Sequence, residues 1–170
     1  MISYTVRRFD ANPIIHPDMD ASIGMNINGP SLIRAPSWLP NPMGRYYLYF
    51  AHHQGAYIRL AYADTLEGPW RIYTPGTLRL DQTFCERHIA SPDVYVDEER
   101  LEVRMYFHGC TKAGQRSFLA VSHDGLVFTP SPVVLGPFYF RVFRHEDAYY
   151  ALAKTVEQAG GGVLLRSPDG

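Results

Sequence analysis

Ser122-His123-Asp124-Gly125 and Ser167-Pro168-Asp169-Gly170 are one local pattern written twice, 45 residues apart. An aromatic, alternating run precedes each: Tyr106-Phe107 before the first and Tyr149-Tyr150 before the second. Tyr49-Phe50 with Ala63-Asp64-Thr65 forms a looser upstream copy. A period of roughly 40 to 60 residues built from short strands is the signature of propeller blades. The expected fold class is therefore all-β, a β-propeller, with functional groups where the inner strands of successive blades converge. Asp-Gly tolerates positive φ, so Asp124-Gly125 is read as a two-residue type I′ turn.

Working outward, the first blade is expected to hold strands at 31–35, 45–52, 57–63 and 70–73, followed by a linker over 74–87 containing Pro75-Gly76. The second repeats the plan at 89–96, 102–108, 118–122 and 126–129. The third begins at 138–143 and continues at 148–154 and 163–166. Apolar residues alternate instead of recurring at three and four, so no long amphipathic helix is expected. The domain reading is an N-terminal arm over 1–28 and a partial propeller over 29–170, with blades near 29–73, 89–129 and 138–170. A third blade that stops inside its hairpin leaves sheet edges a closed ring would pair, which implies the N-terminal part of a longer protein.

With 170 residues, 46% hydrophobic and 19% charged, the chain has ample material for a core. A formal net charge of −1, with no face rich in Lys and Arg, argues against nucleic acid or an anionic membrane as partner. Neither a secretory leader nor a run of about 18 apolar residues is present, and the expected compartment is the cytoplasm. Cys85 and Cys110 are read as free thiols. Gly160-Gly161-Gly162 lacks the Lys-Ser/Thr of a phosphate loop and reads as a flexible hairpin. No cofactor motif appears.

Gly29-Pro30-Ser31-Leu32-Ile33, then Arg45 to Phe50 and Ile58 to Ala63 with Glu67-Gly68-Pro69-Trp70, resembles the opening blade of the five-bladed propeller glycoside hydrolases of family 43. Ser91-Pro92-Asp93-Val94 is similar to that family's Ala-Pro-Asp-Val, and the Ser-x-Asp-Gly turn followed by Phe128 recurs among these enzymes and their β-fructosidase-like relatives. The resemblance implies action on, or recognition of, an oligosaccharide or glycoside in an axial pocket. It also exposes two departures. The family's general base precedes the Pro of the first-blade motif, where this chain has Gly29. Its third-blade acid has no counterpart in Phe138-Tyr139-Phe140-Arg141-Val142-Phe143. A non-catalytic carbohydrate-binding or regulatory propeller is the alternative.

Glycoside hydrolysis needs two carboxyl groups flanking the scissile bond. Asp93, at the start of an inner strand, is the candidate for one, with a turn-bonding structural role as its competing reading. Asp18 and Asp20 in the arm are the candidates for a substitute base if the arm folds over the axis, with solvated loop carboxylates as the competing reading. His52, His53, His88 and His108 recur at similar blade positions and are read as pocket lining, as structural, or, with a weaker signal, as metal ligands. Arg141, mid-strand among aromatics, calls for a carboxylate or bound anion, and Asp93 is its expected partner. Asn28 is a further substrate-binding candidate, and Trp38 can stack on a sugar or staple its loop.

Overall fold

The computed structural model describes residues 3–155 and 160–170. Strands β1 (Asn28–Arg34), β2 (Tyr46–Ala51), β3 (Tyr57–Ala63) and β4 (Arg71–Arg79) form one sheet. The second comprises β5 (Ile89–Asp97), β6 (Glu102–Thr111), β7 (Gly114–Ser122) and β8 (Thr129–Pro130). The third comprises β9 (Arg141–His145), β10 (Ala148–Lys154) and β11 (Gly162–Ser167). Every pairing within these sheets is antiparallel, so the all-β expectation holds.

Strand alternation makes each sheet two-faced. Along β2, Tyr47, Tyr49 and Ala51 face the second sheet, whereas Leu48 and Phe50 face the N-terminal arm. Along β6, Val103, Met105 and Phe107 face back to the first sheet, and Tyr106 faces forward to the third. Each large side chain buried at these seams contributes about 1.5–3 kcal/mol through apolar area removed from water. Ile14, Ile15, Met19, Ile23 and Ile27 of the arm cover Phe50, Ala61 and Trp70. Arg59 donates to the Ile23 carbonyl and Tyr57 to that of Ser22 (2.6 Å), anchoring the arm.

The inner strands β1, β5 and β9 lie side by side. Their registers, Ser31 opposite Tyr49, Asp93 opposite Tyr106 and Arg141 opposite Leu152, make Ser31, Asp93 and Arg141 equivalent positions. Ser31 Oγ accepts the Val94 N–H at 2.8 Å, and Asp93 Oδ2 accepts the Val142 N–H at 2.6 Å. One inner strand's side chain thus holds the next inner strand's backbone, twice in the same way.

The two Ser-x-Asp-Gly turns perform matching tasks. The Tyr49 hydroxyl donates to the Gly125 carbonyl (2.8 Å), and Arg104 Nη2 donates to that of Gly170 (2.9 Å). Phe128 then packs edge-on against Tyr49, with ring centroids 5.8 Å apart. The turn itself differs from the sequence expectation. Of its central pair only Gly125 has positive φ, and pairing resumes only at Val121 opposite Thr129, so Asp124-Gly125 is not a two-residue type I′ turn. Asp124 Oδ1 accepts the amides of Leu126 and Val127 and the Ser122 hydroxyl, which stabilises a wider loop. The fourth strand is correspondingly only Thr129–Pro130, where the proline supplies no N–H to extend the ladder.

Several boundaries also move: β1 starts at Asn28, the last residue of the expected arm, and β7 starts at Gly114 instead of 118. The segment 74–87 is not a linker throughout, because β4 runs to Arg79. Tyr73 pairs with Leu60 and Leu78 with Ile58, so residues 74–77 bulge opposite Arg59, with Pro75 unable to donate and Gly76 at positive φ. The third inner strand starts at Arg141, not Phe138, because Tyr139 adopts φ 63° and interrupts the extended run. Gly160 and Gly161 sit in the β10–β11 connection and Gly162 opens β11 opposite Lys154, while residues 156–159 of that connection lie outside the described residues.

The third sheet has one uncovered face. Phe143, Leu152 and Leu164 are 44%, 54% and 59% exposed, whereas their register equivalents in the first sheet, Ile33, Tyr49 and Leu60, are 7%, 0% and 0% exposed.

Candidate functional site

Gly29, Ser91 and Tyr139 all have positive φ (57°, 50° and 63°), and all three line one cleft of about 360 Å³. Each sits two residues ahead of Ser31, Asp93 or Arg141, so the same kink recurs on successive inner strands and opens space between them. For Ser91 and Tyr139 this backbone conformation is costly, a form of strain that concentrates at ligand sites. Asn28 and Ala90 add the neighbouring wall, His53 and Gln54 enter from the end of β2, and His88, His108 and Gln115 come from the second sheet. The lining contains imidazoles, amides, hydroxyls and backbone, and no carboxylate.

Position 29 has no room for a side chain. A Cβ there would lie 2.7 Å from Ser91 Cα and 3.2 Å from Ser91 Oγ. A glycine at this position is therefore a packing requirement of this seam.

His108 is the most deeply buried of the polar lining groups, at 3% exposure. Its ring meets His88 edge-on at 5.7 Å and Tyr139 at 4.7 Å. Burial, followed by the charges of His88, Arg141 and His53, lowers its pKa to about 4. The pKa of His88 is also lowered, chiefly by burial. Both rings are therefore neutral at pH 7. Two lining residues hold buried polar atoms with no hydrogen-bond partner among the described residues, Asn28 Oδ1 and His108 Nδ1.

A pH dependence follows. His108 binds a proton in the unfolded chain below about 6.5 but in the folded chain only below about 4. Its neutral burial therefore costs no stability above pH 6.5, and stability falls as pH drops through that window, by on the order of 3 kcal/mol. Denaturant titrations of wild type and His108→Gln at pH 7 and pH 4 check this. The wild type is expected to lose more stability than the variant.

The predicted residues separate into two groups. Asn28, His53, His88 and His108 converge on the cleft. His52, Asp20, Asp93 and Arg141 are not part of its lining. His52 lies against the arm, beside Gly24. Asp20 Oδ1 accepts the Ser22 amide (2.8 Å), and hydrogen bonds from Ser22 lower its pKa. Asp93 and Arg141 form the expected pair at 3.6 Å, with Arg141 also donating to the Pro92 carbonyl at 3.2 Å. Burial raises the pKa of Asp93, against the opposing Val142 amide and Arg141 charge. Trp38 donates to Glu98 (2.7 Å), in a peripheral loop. Among the described residues no three His, Cys, Asp or Glu side chains are grouped to hold a metal, and no helix is long and apolar enough to cross a membrane.

Sequence reasoning missed Ser91, Tyr139, Gln54 and Gln115. Ser91 had a signal, since it precedes Pro92 as Gly29 precedes Pro30. Gln115 had none, because only hairpin register carries it to the cleft.

No protein-family model matches the chain. It is 36% identical, over 189 aligned positions covering 97% of its length, to the uncharacterized protein R118 of Acanthamoeba polyphaga mimivirus. It covers 51% of that protein, and so spans about half the length of the curated relative it matches. Among solved structures it is similar to CoXyl43, a family 43 β-xylosidase/α-arabinofuranosidase from a compost microbial metagenome, with TM-score 0.61, 17% identity, and 76% of this chain on 42% of that one. The family 117 glycoside hydrolase Zg3597 of Zobellia galactanivorans gives TM-score 0.63 at 17% identity, with 85% and 43% covered. The α-L-arabinofuranosidase CtGH43 of Clostridium thermocellum gives 0.60 at 18%, with 82% and 47% covered. At these identities the likeness is one of fold, and the chain has the fold of the propeller glycoside hydrolases.

Proposed function

We propose that the chain supplies the first blades of a five-bladed propeller whose axial cleft recognises a saccharide and contributes no catalytic carboxylate pair. The arm over 1–28 and blades near 29–73, 89–129 and 138–170 remain the domain reading. The uncovered face of Phe143, Leu152 and Leu164 supports it, as the position where a following sheet would pack. Two free thiols fit a cytoplasmic setting.

One observation carries the functional reading: Asn28 Oδ1 and His108 Nδ1, buried polar atoms of residues in two walls of one cleft, lack partners among the described residues. Buried polar groups are normally hydrogen-bonded, and a polyhydroxylated ligand supplies donors and acceptors to both. Neutral imidazoles and amides suit sugar hydroxyls, and Tyr139 offers a ring at the mouth. Asp93 is occupied as a latch between inner strands, and Asp20 bonds its own turn, so neither stands as one of two acids across a glycosidic bond.

The test is calorimetric titration with xylo-, arabino- and galacto-oligosaccharides, with reducing-sugar release followed in parallel. Saturable binding without turnover is expected, weakened about tenfold or more by His108→Ala, the scale of one or two buried hydrogen bonds. Turnover abolished by Asp93→Asn would assign hydrolysis instead.

A further inference from the structure

A second pocket lies on the other side of His88 and Gln115. This compartment of about 480 Å³ shares those two residues and Gln54 with the cleft as a common wall, and adds Arg87, Cys110 and Gly114. The chemistry changes across that wall. The axial side has no carboxylate, ammonium or guanidinium in its lining, whereas the outer side carries a guanidinium. Arg87 Nη2 donates to the buried Cys110 Sγ at 2.8 Å, which fixes the head group in place. Arg116 folds back over the same wall. Its Nη1 donates to the Gln115 carbonyl at 2.9 Å and lies 3.7 Å from where a Cβ on Gly114 would stand.

Arg79, Arg100, Arg104, Arg141 and Arg144 each have a carboxylate partner. Nine arginines, Arg87 and Arg116 among them, form no ion pair with any described residue, and Glu86, next to Arg87, forms none either; of the nine, Arg87 is the one that lines this compartment. A guanidinium offers five N–H donors in a planar fork that matches an oxyanion. The Cys110 thiol engages one nitrogen of Arg87, an exposed residue that lines the compartment, and no other Arg87 side-chain hydrogen bond is formed with a described residue.

We infer that the ligand is a saccharide bearing an oxyanion, with one sugar unit in the axial compartment and the carboxylate or sulfate of an adjoining unit held by Arg87 across the His88–Gln115 wall. This rests on the saccharide reading of the axial compartment and adds a charge preference to it. Arg87 is then the specificity-determining residue, and Arg116 reinforces its field.

The experiment compares matched oligosaccharides in three arms, unsubstituted, uronic-acid-bearing and sulfated, on wild type, Arg87→Lys and Arg87→Gln. In wild type one acidic arm is expected to bind about tenfold tighter than the neutral arm, with the preference shrinking as salt rises. The ratio of acidic to neutral affinity should persist in part in Arg87→Lys and collapse toward one in Arg87→Gln. Whichever acidic arm shows the preference identifies the oxyanion. Equal affinity for neutral and acidic arms in wild type overturns the charge preference and leaves saccharide recognition standing. Failure of every arm to bind overturns both. Inorganic sulfate binding as tightly as the sulfated saccharide overturns the two-compartment ligand.

Discussion

Gly29→Asp is expected to lower stability by about 2–4 kcal/mol and to confer no glycosidase activity. The substitution installs the aspartate that the sequence resemblance to family 43 calls for before Pro30, so on that resemblance alone a gain of function would be expected. Packing opposes it. Residue 29 holds φ 57°, a conformation that costs side-chain-bearing residues about 1–2 kcal/mol, although aspartate tolerates it better than most. A Cβ at 2.7 Å from Ser91 Cα meets backbone, not a flexible side-chain end, so β1 and β5 must separate. That separation strains the Ser31 to Val94 hydrogen bond two residues on. Thermal melts should show a Tm drop of roughly 5–15 °C. An unchanged Tm together with new hydrolysis would show that the seam yields and that Gly29 was merely a lost catalytic residue.

Asp97→Ala is expected to cost about 3–5 kcal/mol, the larger effect. Asp97 is 1% exposed and ends β5 facing the third sheet. Oδ2 accepts from Arg100 (2.7 Å) and the Tyr149 hydroxyl (3.0 Å), and Oδ1 accepts the amides of Glu99 and Arg100. Burial pushes its pKa up, but these hydrogen bonds outweigh it, and the net shift is downward. The bonds are therefore strongest above the ordinary carboxylate range and are lost as pH falls through the folded pKa. Removing the carboxylate leaves the buried Arg104 with Glu102, at 3.9 Å, as its one carboxylate partner among the described residues, beside the Gly170 carbonyl. Amide exchange should accelerate first in β9–β11, whose Tyr149 depends on this carboxylate. Uniform acceleration across all three sheets would place the network in the global core instead of at one seam.

Much of the fold was legible because strand alternation and repeated turns are local signals. The run from Tyr57 to Ala63 reads as a strand from its own residues, and the structure gives the same bounds. The errors fell where a distant partner decides conformation. Asp-Gly suggests a tight turn, yet Asp124 spends its carboxylate on the amides of Leu126 and Val127 and widens the loop. Tyr139 looks like an ordinary strand aromatic, yet it takes positive φ at the cleft. The site was half legible. His88 and His108 stood out as residue types, whereas Asp93 drew attention as a carboxylate when its geometry is that of a latch, a role visible only once Val142 is placed beside it. Nothing in the sequence marks Gln115, which reaches the cleft through register alone.

The most direct measurement is a titration of oligosaccharide into protein labelled with ¹⁵N-histidine, following the imidazole resonances. His88 and His108 are expected to shift together, along one binding curve that matches calorimetry, while His123 and His145, which do not line the cleft, stay in place. Saturable binding with His88 and His108 unmoved would contradict recognition in the axial cleft and place the saccharide elsewhere on the molecule.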